Sequence, residues 1–166
     1  IYKFIMITQF DKDYKLGKES EVLSHPHLEQ IFNCKLTHDP EEYAHFDFFN
    51  KLILVELKTR PRTFFKDNKF YTTTRDGRTI QIDSLYFDAP KMRYAFQMNK
   101  RLKNNNEKIK DFYIVWKCSG QYFYWKINWD KKDYFIEDQF RDMGHGYRQN
   151  RDVINVYTSC IQQWCP

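Results

Sequence analysis

The most constraining stretch of the chain is Leu52-Ile53-Leu54-Val55, an apolar run that continues into Glu56-Leu57-Lys58-Thr59-Arg60 and stops at Pro61. Such a run, bounded by turn residues, fits a strand buried on both faces, and a chain that carries one must cover both sides of a sheet. The charges are placed unusually. Side chains alternate along a strand, so Glu56 and Lys58 share one face at the end of the apolar run and Leu57 takes the other. Upstream, Tyr43 to Phe49 reads as an extended aromatic strand with Asp47 in its middle, and Asn50-Lys51 is a short polar break. The two strands predict a hairpin. Antiparallel neighbours would bring the carboxylates of Asp47 and Glu56 to the same sheet edge.

The remaining pattern fills in a mixed α/β domain with a central sheet. Residues 19–36 place Val22, Leu23, Leu28, Ile31 and Phe32 at roughly helical spacing, with Pro26 implying two short helices or one bent helix. Residues 70–83 carry a hairpin signal around Asp76-Gly77. Residues 88–103 read as a helix, with Asp88 able to cap it, Pro90 in the first turn, and AsnAsnAsn at 104–106 ending it. Residues 111–119 and 121–128 are aromatic strands joined at Ser119-Gly120, where Trp116, Tyr122, Tyr124 and Trp125 read as core and cross-strand pairs. From 130 onward the chain reads as polar and irregular, apart from one strand over Val153 to Ile161.

At 166 residues, with 42% hydrophobic and 30% charged residues, the chain suits a single domain, 1–166, with a sizeable core. No repeat or Gly/Ser-rich linker divides it, and no apolar run approaches the ~20 residues of a membrane span. A first residue of Ile means either that residues precede it or that Met6 is the natural start; the opening stretch is too short and mixed for a secretory leader. Cys34, Cys118, Cys160 and Cys165 form no CxxC pair and read as reduced thiols of an intracellular protein. His25, His27, His38, His45 and His145 lack the spacing of a zinc site. No phosphate-binding glycine loop, GxSxG elbow or kinase signature is present, which leaves nucleotide hydrolysis and serine chemistry unsupported. The net charge of +5 favours a polyanionic partner.

Burying unpaired charge is costly, so two acids and a lysine gathered at one edge need a compensating partner. An ion pair alone would serve; a divalent cation suits the oxygen ligands better. An Asp on one strand followed by (Asp/Glu)-x-Lys at the end of the next resembles the PD-(D/E)xK nuclease superfamily, here as Asp47 and Glu56-Leu57-Lys58, continued by Thr59-Arg60. Phe46 stands where the family name has its proline. The resemblance spans about residues 17–128, leaves 129–166 as a strand-containing extension, and implies a restriction-endonuclease-like αβββαβ core.

It also implies a metal-dependent nuclease that hydrolyses phosphodiester bonds, with DNA preferred to RNA as substrate and endonuclease to exonuclease. Mg²⁺ or Mn²⁺ would be held by Asp47, Glu56 and the backbone carbonyl of Leu57, with Lys58 at the reacting water. A helix acid often supports the metal in this family; Glu21 is the first choice and Glu19 its competitor. Lys91 and Gln97 are candidates for the polar residue on the later helix. Arg60, Arg62, Lys66, Lys69, Lys91, Arg93, Lys100, Arg101 and Lys103 would either contact phosphates of double-stranded DNA or form ordinary solvated surface. Tyr71 and Thr72-Thr73-Thr74 are better read as sheet formers than as a cleft lining. The rival expectation is a non-catalytic nucleic-acid-binding or assembly protein on a degenerate nuclease scaffold. Oligomeric state stays open, a dimer included.

Overall fold

In the computed structural model, which describes residues 9–39, 41, 45–144 and 147–165, the chain is a mixed α/β protein with a central mixed sheet flanked by two helices. Helix α1 (Gln9–Phe32) is followed by β1 (Thr37–His38), β2 (Phe48–Phe49), β3 (Ile53–Arg60), β4 (Thr63–Lys66), β5 (Lys69–Thr73), β6 (Thr79–Ile82) and β7 (Ser84–Asp88). Helix α2 (Ala89–Asn104) then leads to β8 (Asp111–Cys118), β9 (Gln121–Lys126), β10 (Tyr134–Gly144), β11 (Tyr147–Tyr157), a 3-10 turn at Thr158–Cys160, and β12 (Gln162–Trp164).

The central sheet runs β1-β2-β3-β8-β9-β12. Its β3–β8 pair is parallel, with Ile53 opposite Asp111 and Arg60 opposite Cys118, and its other pairs are antiparallel. The apolar run of β3 is buried on both faces, as its composition requires. Leu54 packs with Phe112, Ile114, Trp116, Phe123, Trp125 and the α2 residues Met92 and Ala95. Val55 and Leu57 face the opposite way, with Val115, Tyr122 and Leu28 of α1. Ile154 and Val156 of β11 complete the α2-side core, where β11 pairs β7 and β10 in a second, three-stranded sheet. No helix among the described residues is long and apolar enough to cross a membrane.

Several elements differ from the sequence expectation. Helix α1 starts at Gln9 and passes through Pro26 as one element. Its inward stripe is not the expected apolar one: Val22 and Leu23 are exposed, while Ser20, Glu21, Ser24 and Leu28 are buried. Hydrogen bonding makes that possible, because Ser24 accepts from Tyr122 Oη at 3.0 Å and Lys117 Nζ at 3.3 Å, and Thr59 Oγ1 donates to Ser20 Oγ at 2.7 Å.

The strand expected over Tyr43 to Phe49 is reduced to Phe48–Phe49, with a bend at 45–47; Tyr43 and Ala44 lie outside the described residues. The hairpin around Asp76-Gly77 forms, with Gly77 at φ +82°, but it belongs to a three-stranded meander with β4. Asp67 and Asn68, both left-handed at φ 50° and 59°, make the turn between β4 and β5. The region from 130 onward is no irregular tail: Tyr134–Gly144 and Tyr147–Tyr157 pair along their length as a hairpin. Backbone pairing outweighs the polar side chains there.

Candidate active site

The site grows from the mismatch between β2 and β3. Strand β2 pairs only Phe48 with Val55 and Phe49 with Leu54, so β3 continues past its neighbour. Asp47, in the bend just before β2, takes the next position on that edge: its Oδ2 accepts the backbone N–H of Leu57 at 2.7 Å. A carboxylate thus replaces a strand partner between Glu56 and Lys58. A second link from the same bend ties Asp39 N–H to the Asp47 carbonyl at 2.8 Å.

On the α2 face of β3, Lys58 Nζ lies 2.7 Å from Glu56 Oε1 and 3.2 Å from Asp88 Oδ2. Lys91, in the first turn of α2, places Nζ 2.8 Å from Glu56 Oε2. Arg151 of β11 ion-pairs with the other oxygen of Asp88. The charges therefore alternate along one chain of contacts: Lys91, Glu56, Lys58, Asp88, Arg151. The Glu56 side chain is 3% exposed, so this chain and not solvent neutralises it.

On the α1 side, Glu21 is buried and its Oε2 contacts Lys18 Nζ at 3.0 Å and His38 Nε2 at 2.9 Å. Its competitor Glu19 is exposed, 3.8 Å from Lys15. Of the two helix acids, Glu21 is the one close enough to act on Asp47. Burial pushes the Asp47 carboxyl up to about 8, helped by the negative charges of Glu56 and Glu21 and opposed by Lys58 and the Leu57 N–H. Lys58 goes the other way for a cation in a dry place: burial favours its neutral form, but Glu56, Asp88 and Asp47 outweigh that and raise it.

The sign of the Asp47 displacement gives a pH prediction. Folded protein holds this proton more tightly than unfolded chain, so the associated stability is present below the ordinary aspartate value and is lost as pH rises toward 8. The metal-free protein should melt at progressively lower temperature from pH 5 to pH 9, and Asp47→Asn should flatten the slope. The span is on the order of 5 kcal/mol at its upper end. Calorimetry across that range checks it; an unchanged slope in Asp47→Asn refutes the assignment.

The other expected site residues divide. Arg60 donates from Nη2 to the Tyr86 carbonyl at 3.1 Å and stacks 4.3 Å over the Tyr86 ring, so it joins the two sheets. Arg62 and Gln97 are exposed, and Gln97 lies six positions beyond Lys91, on a different face of α2. Arg93 is exposed near Asp152 at 3.7 Å. Lys66, Lys69, Lys100, Arg101 and Lys103 are exposed.

Two participants, Asp88 and Arg151, were not expected. Asp88 occupies the N-cap position of α2 with extended backbone, but its side chain makes no capping bond and turns to Lys58 and Arg151 instead. An acid before a helix with Pro90 in its first turn reads as a cap; only the pairing of β7 with β11 reveals the other use. Arg151 had no signal in the sequence.

The donor set fits a hard cation, because Asp47 and Glu56 supply carboxylate oxygens in a buried place where negative charge is in excess around Asp47. Among the described residues no three His, Cys, Asp or Glu side chains gather as a ligand group. A cation here would therefore rely on two carboxylates, a peptide carbonyl and water, the habit of Mg²⁺. His25, His27, His38 and His45 engage Leu36, Tyr122, Glu21 and Tyr94 respectively, and His145 lies outside the described residues. Cys34, Cys118, Cys160 and Cys165 are unbridged. In comparisons with known proteins, no family model, curated protein or solved structure matches this chain.

Proposed function

We propose that the chain is a metal-dependent nuclease that hydrolyses phosphodiester bonds, most simply as an endonuclease on double-stranded DNA. The observation that carries the reading is the Leu57 N–H to Asp47 bond, which sets Asp47 against the very segment that holds Glu56 and Lys58. Asp47 and Glu56, with the Leu57 carbonyl, would hold Mg²⁺ or Mn²⁺, and Glu21 would support that arrangement from α1. Such an ion, when bound, polarises a phosphoryl oxygen and acidifies a water.

The residues themselves do the rest. Lys58, kept as an ammonium by Glu56 and Asp88, donates hydrogen bonds to the incoming water or to a phosphate oxygen as charge builds there. Glu21 and the neighbouring His38 and Lys18 hold the α1 wall of the site in place.

The second reading is a nucleic-acid-binding protein without catalysis, favoured by one observation: both oxygens of Glu56 are already matched by lysines. The test is incubation of plasmid and linear DNA with Mg²⁺, Mn²⁺ or EDTA. Metal-dependent cleavage that EDTA stops is the expected result. Retention of DNA without cleavage under either metal would assign the chain to the binding class instead.

A further inference from the structure

Resting on that metal reading, we infer that Lys91 is a built-in counter-cation that occupies Glu56 until a phosphodiester draws it away, so that metal and nucleic acid bind cooperatively. Glu56 is a deeply buried carboxylate with an ammonium on each oxygen, Lys58 at 2.7 Å and Lys91 at 2.8 Å. Left without a cation, such a carboxylate is strongly destabilising. In the metal-free protein the two lysines meet that requirement, and each disfavours a divalent cation arriving at the same carboxylate.

They are not equivalent. Lys58 projects from the middle of a sheet and is also held by Asp88 at 3.2 Å, itself tied to Arg151. Lys91 projects from the first turn of α2, with its Nζ 5.7 Å from the centre of the Phe46 ring. Its stem is four flexible methylenes and its ammonium a compact charge that a phosphate oxygen accepts as readily as a carboxylate. A phosphodiester entering beside Glu56 would draw Lys91 off it and open one oxygen to the metal. Linkage makes the effect mutual: whatever nucleic acid does for metal affinity, metal does for nucleic-acid affinity.

The experiment measures Mn²⁺ binding to the intact protein from the resonance signal of free Mn²⁺, with and without a short phosphorothioate duplex that resists cleavage. Wild type should bind Mn²⁺ weakly alone and about tenfold more tightly with duplex; Lys91→Gln should bind it about tenfold more tightly than wild type without duplex and lose most of the enhancement. Lys91→Arg, which keeps the charge, should behave as wild type and shows that the position tolerates change. Lys91→Gln affinity equal to or below that of wild type overturns the inference. Unchanged Mn²⁺ binding in Glu56→Gln would instead remove the metal from Glu56 altogether, which is failure of the underlying reading and a different result.

Discussion

Lys58→Met is expected to lower turnover by about 100- to 1000-fold while leaving nucleic-acid retention close to wild type, the scale associated with removing one donor aimed at developing charge. The substitution keeps most of the stem's bulk beside the sheet and deletes the ammonium. It leaves no carboxylate without a cation, because Glu56 retains Lys91 and Asp88 retains Arg151. The stability cost should therefore stay well below the roughly 3–5 kcal/mol of orphaning a buried charge. Asp47→Asn and Glu56→Gln should be similarly inactive, although Glu56→Gln leaves two ammoniums facing a neutral amide and should be the less stable of the pair. Single-turnover cleavage on a plasmid, with filter binding in parallel, separates the two readouts. Turnover of Lys58→Met within error of wild type would deny that this lysine takes part in the chemistry.

The largest effect on stability is expected at Trp116. It is fully buried at the centre of β8, its Nε1–H donates to the Tyr86 carbonyl at 3.2 Å, and its ring meets Phe87 edge-on. It thus joins the central sheet to β7, the strand that ends at Asp88. Trp116→Ala should cost about 3–5 kcal/mol through lost burial and the cavity left behind, read as a lower midpoint in urea denaturation. Trp116→Phe should cost less, because it keeps an aromatic ring and loses the hydrogen bond. Were Trp116→Ala to unfold at the wild-type urea concentration, the packing between the two sheets would be wrong as described.

How much of this was legible varies with the range over which each feature is determined. The apolar run at Leu52 to Val55, the Ser119-Gly120 turn with φ of 46° and 86°, and the helix after Asp88 are local, and composition announces them. The pairing of Glu56 with Lys58 follows from strand alternation alone. The hairpin of β10 and β11 is different: Glu137, Asp138, Gln139 and Arg151, Asp152 look like surface, and the strands are fixed by their pairing with each other and with β7. The buried face of α1 was misread for a related reason. Ser20, Glu21 and Ser24 are inward because partners on β1, β3, β8 and β9 satisfy them, and no helical periodicity carries that information. Asp88 met a residue 63 positions away, beyond the reach of any local pattern.

The parallel pairing of β3 with β8 has a kinetic consequence. Ile53 reaches Asp111 only after the meander β4 to β6, β7 and α2 have been passed, and Asp88 reaches Arg151 later still. Contacts so remote along the chain require long closures before they return any energy, so they belong to the slow part of folding. The Lys58–Asp88–Arg151 linkage should be among the last contacts to mature, and on a ribosome it cannot exist until nearly the whole chain has emerged. A nascent chain with such an unfinished centre could not cut the nucleic acid around it.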